Sequence, residues 1–187
     1  GLMPAEAEPL GLLALMLFCE SRAAARRSAD GVYVPLDAQD IARWNRPLRD
    51  QAEQALRQAA ALGAFGPYQI EAAIQSAHCA RRLGAQVPAD ALVALYDGLL
   101  ALRPGTGARV SRACAVAQAR GPAAGLHELD ALAASEVASY QPFWAARAHL
   151  LGRDGQAAEA RLAYARAAGL SASPAVRAWL AAASERL

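Results

Sequence analysis

The sequence contains no lysine, so all of its 19 basic residues are arginines, and these are interspersed with 17 acidic residues. The formal net charge is only +2, and no block of like charge marks a nucleic-acid or anionic-membrane surface. We therefore expect no direct nucleic-acid binding and no membrane binding. A chain of 187 residues is long enough for one domain with a sizeable core, and we predict a single helical domain over residues 1–187.

Cysteine and histidine are scarce as well. Cys19, Cys79 and Cys114 are odd in number and far apart, which predicts reduced core thiols rather than a disulfide framework or a zinc site. The three histidines lack the i, i+4 spacing of a helical metal pair, and no nucleophile elbow or phosphate-binding loop occurs. We interpret the neighbouring carboxylates Glu6 and Glu8 as a solvated face. The sequence thus predicts no enzyme activity, no cofactor and no metal.

No apolar segment is long enough to span a bilayer. The most apolar run, LGLLALMLFC, covers residues 10–19, about half of the roughly 20 residues that a membrane-spanning helix needs. The flank before it is acidic rather than basic, which argues against a signal peptide. We therefore predict a buried helix in a cytoplasmic protein.

β-branched residues are too few to build strands, whereas helix formers dominate throughout. The chain therefore reads as all-α. The exception is the turn-rich stretch RSADGVYVPLDAQD, which predicts an ordered loop at residues 27–40. Proline and glycine divide the rest into helices near residues 6–26, 38–44, 46–62, 67–82, 89–102, 107–120, 122–133, 142–152, 156–168 and 174–186.

A repeat of 34 residues is visible in the second half. It places Tyr96 on Asp130 and then on Tyr164. Around the last of these, Ala160, Tyr164 and Ala167 stand at i, i+4 and i+7 and so share one helix face. The small residues allow a neighbouring helix to approach, and the ring fills the remaining space. This period matches the helix-turn-helix unit of tetratricopeptide repeats.

The preceding helix completes the unit. Trp144, Ala148 and Leu151 form its matching face, and Gly155 stands in the turn. The segment 144–167 thus resembles a tetratricopeptide repeat, although Arg147 stands where leucine is usual. We predict degenerate helix pairs over residues 67–168, with two weaker units at 67–102 and 107–133. The N-terminal helices, 1–62, and a C-terminal helix, 174–186, are expected to cap this helical-repeat array.

Stacked helix pairs form a concave surface lined by their first helices. Alignment of the small positions predicts a polar, mildly basic protein-contact groove there. Its residues are His78, Arg81, Arg82, Ser111, Gln118, His149 and Arg153. The alternative is that these residues are only solvated side chains on helix faces, and the sequence leaves both interpretations open.

Longer phrases carry a further resemblance. They are EPLGLLALML, SRAAARRSADGVYVPLDAQDIARW, GPYQIEAAIQSAH, LYDGLLAL, RACAVAQARGPAAGL and YQPFWAARAHLLGRDGQAAEARLAYARA. In order and spacing they resemble the C-terminal extension of a group of bacterial extracytoplasmic-function (ECF) RNA polymerase sigma factors. Two positions depart from that group: Ser111 stands where asparagine is usual, and Pro47 interrupts a helix that is usually continuous. Pro47 predicts a break after Trp44.

The resemblance implies a context in transcription initiation. The regions of a sigma factor that bind polymerase and promoter would lie before residue 1, so this chain is expected to be a regulatory protein-interaction domain. Its expected partners are the sigma regions of the same full-length chain and, indirectly, the RNA polymerase core. A small regulatory protein is a further candidate partner. The alternative is a stand-alone tetratricopeptide-like adaptor that binds a peptide or a small protein.

Overall fold

A computed structural model describes residues 6–187 of the chain. Within this range the chain forms ten α-helices and no β-strand, which confirms the all-α prediction. The helices are α1 (Ala7–Ser21), α2 (Arg46–Ala61), α3 (Pro67–Arg82), α4 (Ala89–Leu102), α5 (Thr106–Arg120), α6 (Pro122–Asp130), α7 (Ala134–Val137), α8 (Gln141–Arg153), α9 (Ala157–Leu170) and α10 (Pro174–Glu185).

Three helices begin at a proline, as predicted. Pro88 and Pro142 were also predicted at first positions, but Pro88 instead precedes α4, and Pro142 takes the second position of α8. Pro67, Pro122 and Pro174 occupy the first helical position, where the missing N–H has no intrahelical partner to lose. The predicted break after Trp44 is confirmed, because α2 begins at Arg46 and the Asn45 side chain accepts the first-turn amide of Leu48 at 3.0 Å.

Three predicted helices differ from the structure. Helix α6 ends at Asp130 instead of continuing to residue 133, and α7, which follows it, was not predicted. The first helix ends at Ser21 instead of continuing to residue 26. The Ser21 hydroxyl (2.8 Å) and the Arg22 Nε (3.4 Å) both donate to the Phe18 carbonyl, and a 3-10 turn, Ala23–Ala25, follows. The short helix predicted at 38–44 is instead two separate 3-10 turns, Leu36–Ala38 and Ile41–Arg43, because the residues between them are extended.

The predicted loop before these turns is ordered. Gly31 has a φ of 77°, a conformation that glycine adopts without steric cost. Beyond the turn, the Val34 amide donates to the Arg26 carbonyl at 2.9 Å. The chain therefore turns at Asp30-Gly31 and returns in an extended, ordered segment, as the sequence predicts.

The chain folds as two compact units. The first comprises residues 6–28 and Val34–Arg103, in which α1 packs on α2 and α3, and α3 packs on α4. Gly11 makes the α1–α3 approach possible, since a Cβ there would lie 2.6 Å from the Gln69 backbone nitrogen. The core consists of small residues around two aromatic side chains, namely Ala14, Phe18, Ala25, Trp44, Ala52, Ala55, Ala72 and Cys79.

The second unit comprises Ala29–Tyr33 and Pro104–Leu187. Here α5 packs on α6, α8 on both of them, α9 on α8, and α10 on α9. This order is the helical array with a C-terminal capping helix that the repeat predicts. The boundary between the units follows Arg103, inside the segment predicted as helix pairs, and the prediction of one domain over 1–187 stays a prediction.

The α8–α9 pair has the packing that its sequence predicts. Ala148, Ala160 and Ala167 are fully buried, and Tyr164 is only 5% exposed. Gly155 between the helices has a φ of 83°. The i, i+4, i+7 pattern of α9 therefore does mark the face that a neighbouring helix covers.

Candidate interaction site

The seven residues of the predicted groove divide between the two units. His78, Arg81 and Arg82 lie on α3 in the first unit. Ser111 and Gln118 lie on α5, and His149 and Arg153 lie on α8, all in the second unit. Gln118, His149 and Arg153 are exposed, as a contact surface requires, and their role in binding stays a prediction.

The arginines of α3 do not lie on a solvated helix face, which corrects one interpretation from the sequence. Both are only partly exposed. The Arg81 Nε donates to the Val87 carbonyl at 3.2 Å, and the Arg82 Nη2 donates to the Gln39 carbonyl at 2.9 Å. Each arginine therefore connects a loop of the first unit to α3, because its guanidinium N–H groups can donate to loop carbonyls that no backbone amide reaches.

Next to these arginines, His78 is partly buried. Its burial, and after that the nearby Arg22 and Arg81 charges, lower the pKa of the imidazole below its ordinary value of 6.5, against a smaller opposing influence of Asp37. Loss of solvation and the positive neighbours both disfavour the imidazolium. Both influences therefore favour the neutral imidazole.

The Glu8 side chain was expected to be solvated, but it has a structural role. Its carboxylate oxygens accept the first-turn amides of Tyr68 and Gln69, each at 3.2 Å. A carboxylate at this position satisfies free N–H groups and interacts favourably with the positive end of the α3 dipole. Glu6 is exposed, so the prediction of a solvated side chain is confirmed only for that residue.

The two departures from the repeat pattern meet in the second unit. Asp130, which replaces the expected aromatic residue at the end of α6, forms an ion pair with Arg147, which replaces the expected leucine on α8. An acid and a base thus stand at two positions where the repeat pattern has apolar side chains. The two departures therefore contact each other in the fold.

This ion pair borders a pocket of about 450 Å³ between α6, α7, α8 and α9. The pocket lining combines apolar side chains with three charged ones. It consists of Leu129, Asp130, Leu132, Ala134, Val137, Ala138, Phe143, Trp144, Arg147 and Arg166. A concave apolar surface with a few converging polar groups is the usual form of a binding site.

Trp144 forms one wall of the pocket and is fixed on three sides. Its ring meets Phe143 edge to face, with 5.3 Å between the centroids. The indole N–H donates to the carbonyls of Val137 (3.1 Å) and Ala138 (3.2 Å) at the end of α7. The Arg166 guanidinium stands over the ring, 5.8 Å from its centroid, and donates to the Ala138 carbonyl at 3.2 Å.

Sequence reasoning named Trp144 as part of the helix face that matches α9, and it named Asp130 and Arg147 only as departures from the repeat pattern. It missed Arg166 and the pocket as a whole. The reason is α7, a helix of four residues in a stretch of small side chains, whose terminal carbonyls hold both the indole and the guanidinium. No hydrophobic period can indicate so short an element.

A separate apolar surface lies on α1 in the first unit. Leu12 is 37%, Leu13 47% and Met16 62% exposed, whereas Ala14 and Phe18 on the same helix are fully buried. The prediction of a buried helix is therefore correct for one face only. We call Leu12, Leu13 and Met16 the α1 apolar face.

The cysteines are free thiols in the structure, and Cys79 is buried as predicted. Burial raises the pKa of both the Cys79 and the Cys114 thiols. Across residues 6–187, no three His, Cys, Asp or Glu side chains come together as a metal site requires. Nor is any helix in this range long and apolar enough to cross a bilayer.

Comparison with known proteins gives two similarities. Residues 1–60 match the profile of a family of unknown function, DUF6596. Over 179 residues the chain is 36% identical to an uncharacterised protein of Rhizobium meliloti (strain 1021), an alignment that covers 96% of this chain and 42% of the relative. No solved structure matches the chain. The chain thus spans less than half the length of this relative.

Proposed function

We propose that this chain is the regulatory protein-interaction region of a longer, cytoplasmic bacterial protein similar to ECF sigma factors. In this proposal it contacts the sigma regions of the same full-length chain and, through them, sets the activity of the RNA polymerase core. A small regulatory protein is the second candidate partner. The order of the resembling phrases supports the sigma-factor context, and the greater length of the Rhizobium relative fits a chain that functions together with further regions.

The α1 apolar face is the observation that carries the interaction role. Single exposed leucines are normal on protein surfaces, but three large apolar side chains within five positions of one helix form a continuous patch. The opposite side of α1 is already occupied by α2 and α3. The face also lies within residues 1–60, the segment that the family profile matches.

The test replaces this face in the full-length natural protein. Leu12, Leu13 and Met16 are changed together to glutamine, which keeps a good helix former at each position. Transcription from the target promoter is measured with core RNA polymerase, and the thermal midpoint is measured in parallel. We expect altered transcription at an unchanged midpoint. The matched control is Leu162→Gln, which changes a leucine that is 74% exposed on α9 and should leave transcription unchanged.

Two results would contradict the proposal. If the natural protein has no polymerase-binding or promoter-binding regions, the sigma-factor role is wrong, and the adaptor hypothesis replaces it. If removal of residues 1–187 alters transcription but the triple glutamine variant does not, the α1 apolar face is not the regulatory contact.

A further inference from the structure

The pocket beside Trp144 is open at its rim and apolar at its floor. Ala134, Ala138 and Arg166 at the rim are exposed, whereas Leu129 and Phe143 at the floor are buried. Sites for small ligands enclose most of the ligand surface. A pocket as open as this one is better suited to a side chain presented by a protein segment, whose backbone then covers the rim.

The floor accepts an apolar side chain of moderate size. Leu129, Val137 and Phe143 belong to the packed core of the second unit, so the surface that they offer is held by their other neighbours. Trp144 adds a flat wall that is fixed by its two indole hydrogen bonds. Little conformational entropy is lost when a partner binds to so preorganised a surface.

The two arginines that line the pocket differ in their ion pairing. Arg147 is paired with Asp130, whereas Arg166 donates to the neutral Ala138 carbonyl and stands over the Trp144 ring. Within residues 6–187 it forms no ion pair with a carboxylate. One N–H of its guanidinium donates to that carbonyl, which leaves others for a ligand. The rim therefore carries one uncompensated positive charge, held in place by stacking and a hydrogen bond.

We propose that this pocket binds a protein segment in which a leucine-like side chain is followed by aspartate or glutamate. The aliphatic group enters between Leu129, Phe143 and Trp144, and the carboxylate pairs with Arg166. Tryptophan and arginine are the residue types that contribute most often to binding energy at interfaces. The inference rests on the proposed interaction role and specifies the chemistry of the partner at this second surface.

The test is an NMR titration of the ¹⁵N-labelled chain with N-acetyl-Leu-Asp-amide. The matched probes are N-acetyl-Leu-Asn-amide, which lacks the charge, and N-acetyl-Ala-Asp-amide, which lacks the apolar side chain. The reporters are the three indole N–H signals, assigned with the Trp44→Phe and Trp179→Phe variants. We expect a saturable shift of the Trp144 signal with the Leu-Asp probe, and binding of each matched probe weaker by about threefold or more.

Variants of the protein give the second half of the test. Arg166→Gln should lower the affinity for the Leu-Asp probe by about threefold to tenfold, so that the Leu-Asp and Leu-Asn probes bind with equal affinity. Arg166→Lys should retain part of the difference in affinity between the two probes. The control is Arg161→Gln, an exposed arginine on the same helix that donates to the Leu187 carbonyl, and it should bind as the wild type does. An unchanged thermal midpoint shows that each variant is folded.

Equal binding of the Leu-Asp and Leu-Asn probes to the wild type would overturn the inference. So would the absence of any shift at Trp144, or equal shifts at Trp44 and Trp179. The transcription assay uses the α1 apolar face in the other unit. Because the two experiments change different surfaces, a failure of the NMR titration contradicts this inference alone, and a failure of the transcription assay contradicts the proposed function.

Discussion

Gly125 on α6 lies so close to α5 that alanine at this position should destabilise the second unit. An added Cβ would stand 2.5 Å from the Ala117 Cβ, 2.8 Å from the Ala113 carbonyl oxygen and 2.9 Å from a Leu150 methyl group. The Ala113 oxygen is a backbone atom, and the Ala117 Cβ is bonded directly to the backbone of α5. Neither can move aside without shifting α5 itself.

The size of the effect follows from two opposing terms. Forcing a methyl group into a close-packed helix contact costs about 1–3 kcal/mol. Replacing glycine by alanine inside a helix gains up to about 1 kcal/mol of propensity. Because a contact of 2.5 Å places the cost in the upper part of that range, we expect Gly125→Ala to lower the free energy of unfolding by about 1–2 kcal/mol.

The assay is urea denaturation followed by tryptophan fluorescence in a Trp44→Phe background, so that Trp144 and Trp179 report on the second unit. The control is Gly169→Ala on α9, where an added Cβ meets no atom within 4 Å. That change should be neutral or stabilising by up to about 1 kcal/mol. Adding Ala117→Gly to Gly125→Ala removes the shortest contact, so the double variant should be less destabilised than the sum of the single variants. A Gly125→Ala variant as stable as Gly169→Ala would refute the close approach of α5 and α6.

Three further predictions concern Tyr164, His78 and the Asp130–Arg147 pair. Tyr164→Ala should lower the free energy of unfolding by about 3–5 kcal/mol in urea denaturation, because the ring is buried, and a loss under about 1 kcal/mol would contradict its packing. Because the pKa of His78 is lowered in the fold, its contribution to stability is present above the ordinary value of 6.5 and is lost as the pH falls through the folded-state pKa. The thermal midpoint should therefore decline below pH 6.5 less in His78→Gln than in the wild type, and an equal decline in the two proteins would contradict the burial of His78. A double-mutant cycle of Asp130→Ala and Arg147→Ala should give a coupling of under about 1 kcal/mol that falls with salt, and a larger, salt-independent coupling would show that the pair is not a solvated ion pair.

Most helix positions were predictable because their signals are local. A proline at the first turn, a small residue before it and a continuous run of helix formers act within a few residues of each other. The starts at Pro67, Pro122 and Pro174 needed no knowledge of the rest of the chain. The face of α9 was predictable for a related reason, since the spacing of Ala160, Tyr164 and Ala167 alone defines which side must be covered.

The candidate site was predictable only in part. Asp130 and Arg147 were visible as departures from a repeat, yet nothing in the spacing of two residues 17 positions apart says that they meet. Arg166 carried no signal, since an arginine on an amphipathic helix is the ordinary solvated residue. Its role depends on α7, whose backbone carbonyls are placed by the packing around them.

The amino-acid sequence by itself therefore determined the all-α class, most of the helix starts and the covered face of α9, because these follow from backbone propensity and side-chain period. Only the tertiary structure decided which polar residues became structural. It placed Glu8 on the first turn of α3, tied Arg82 to the Gln39 carbonyl, and left Arg166 without a carboxylate in residues 6–187. Each of these outcomes depends on which helix ends and loops meet in space, and a charged side chain can reach several such partners at almost equal cost until packing selects one.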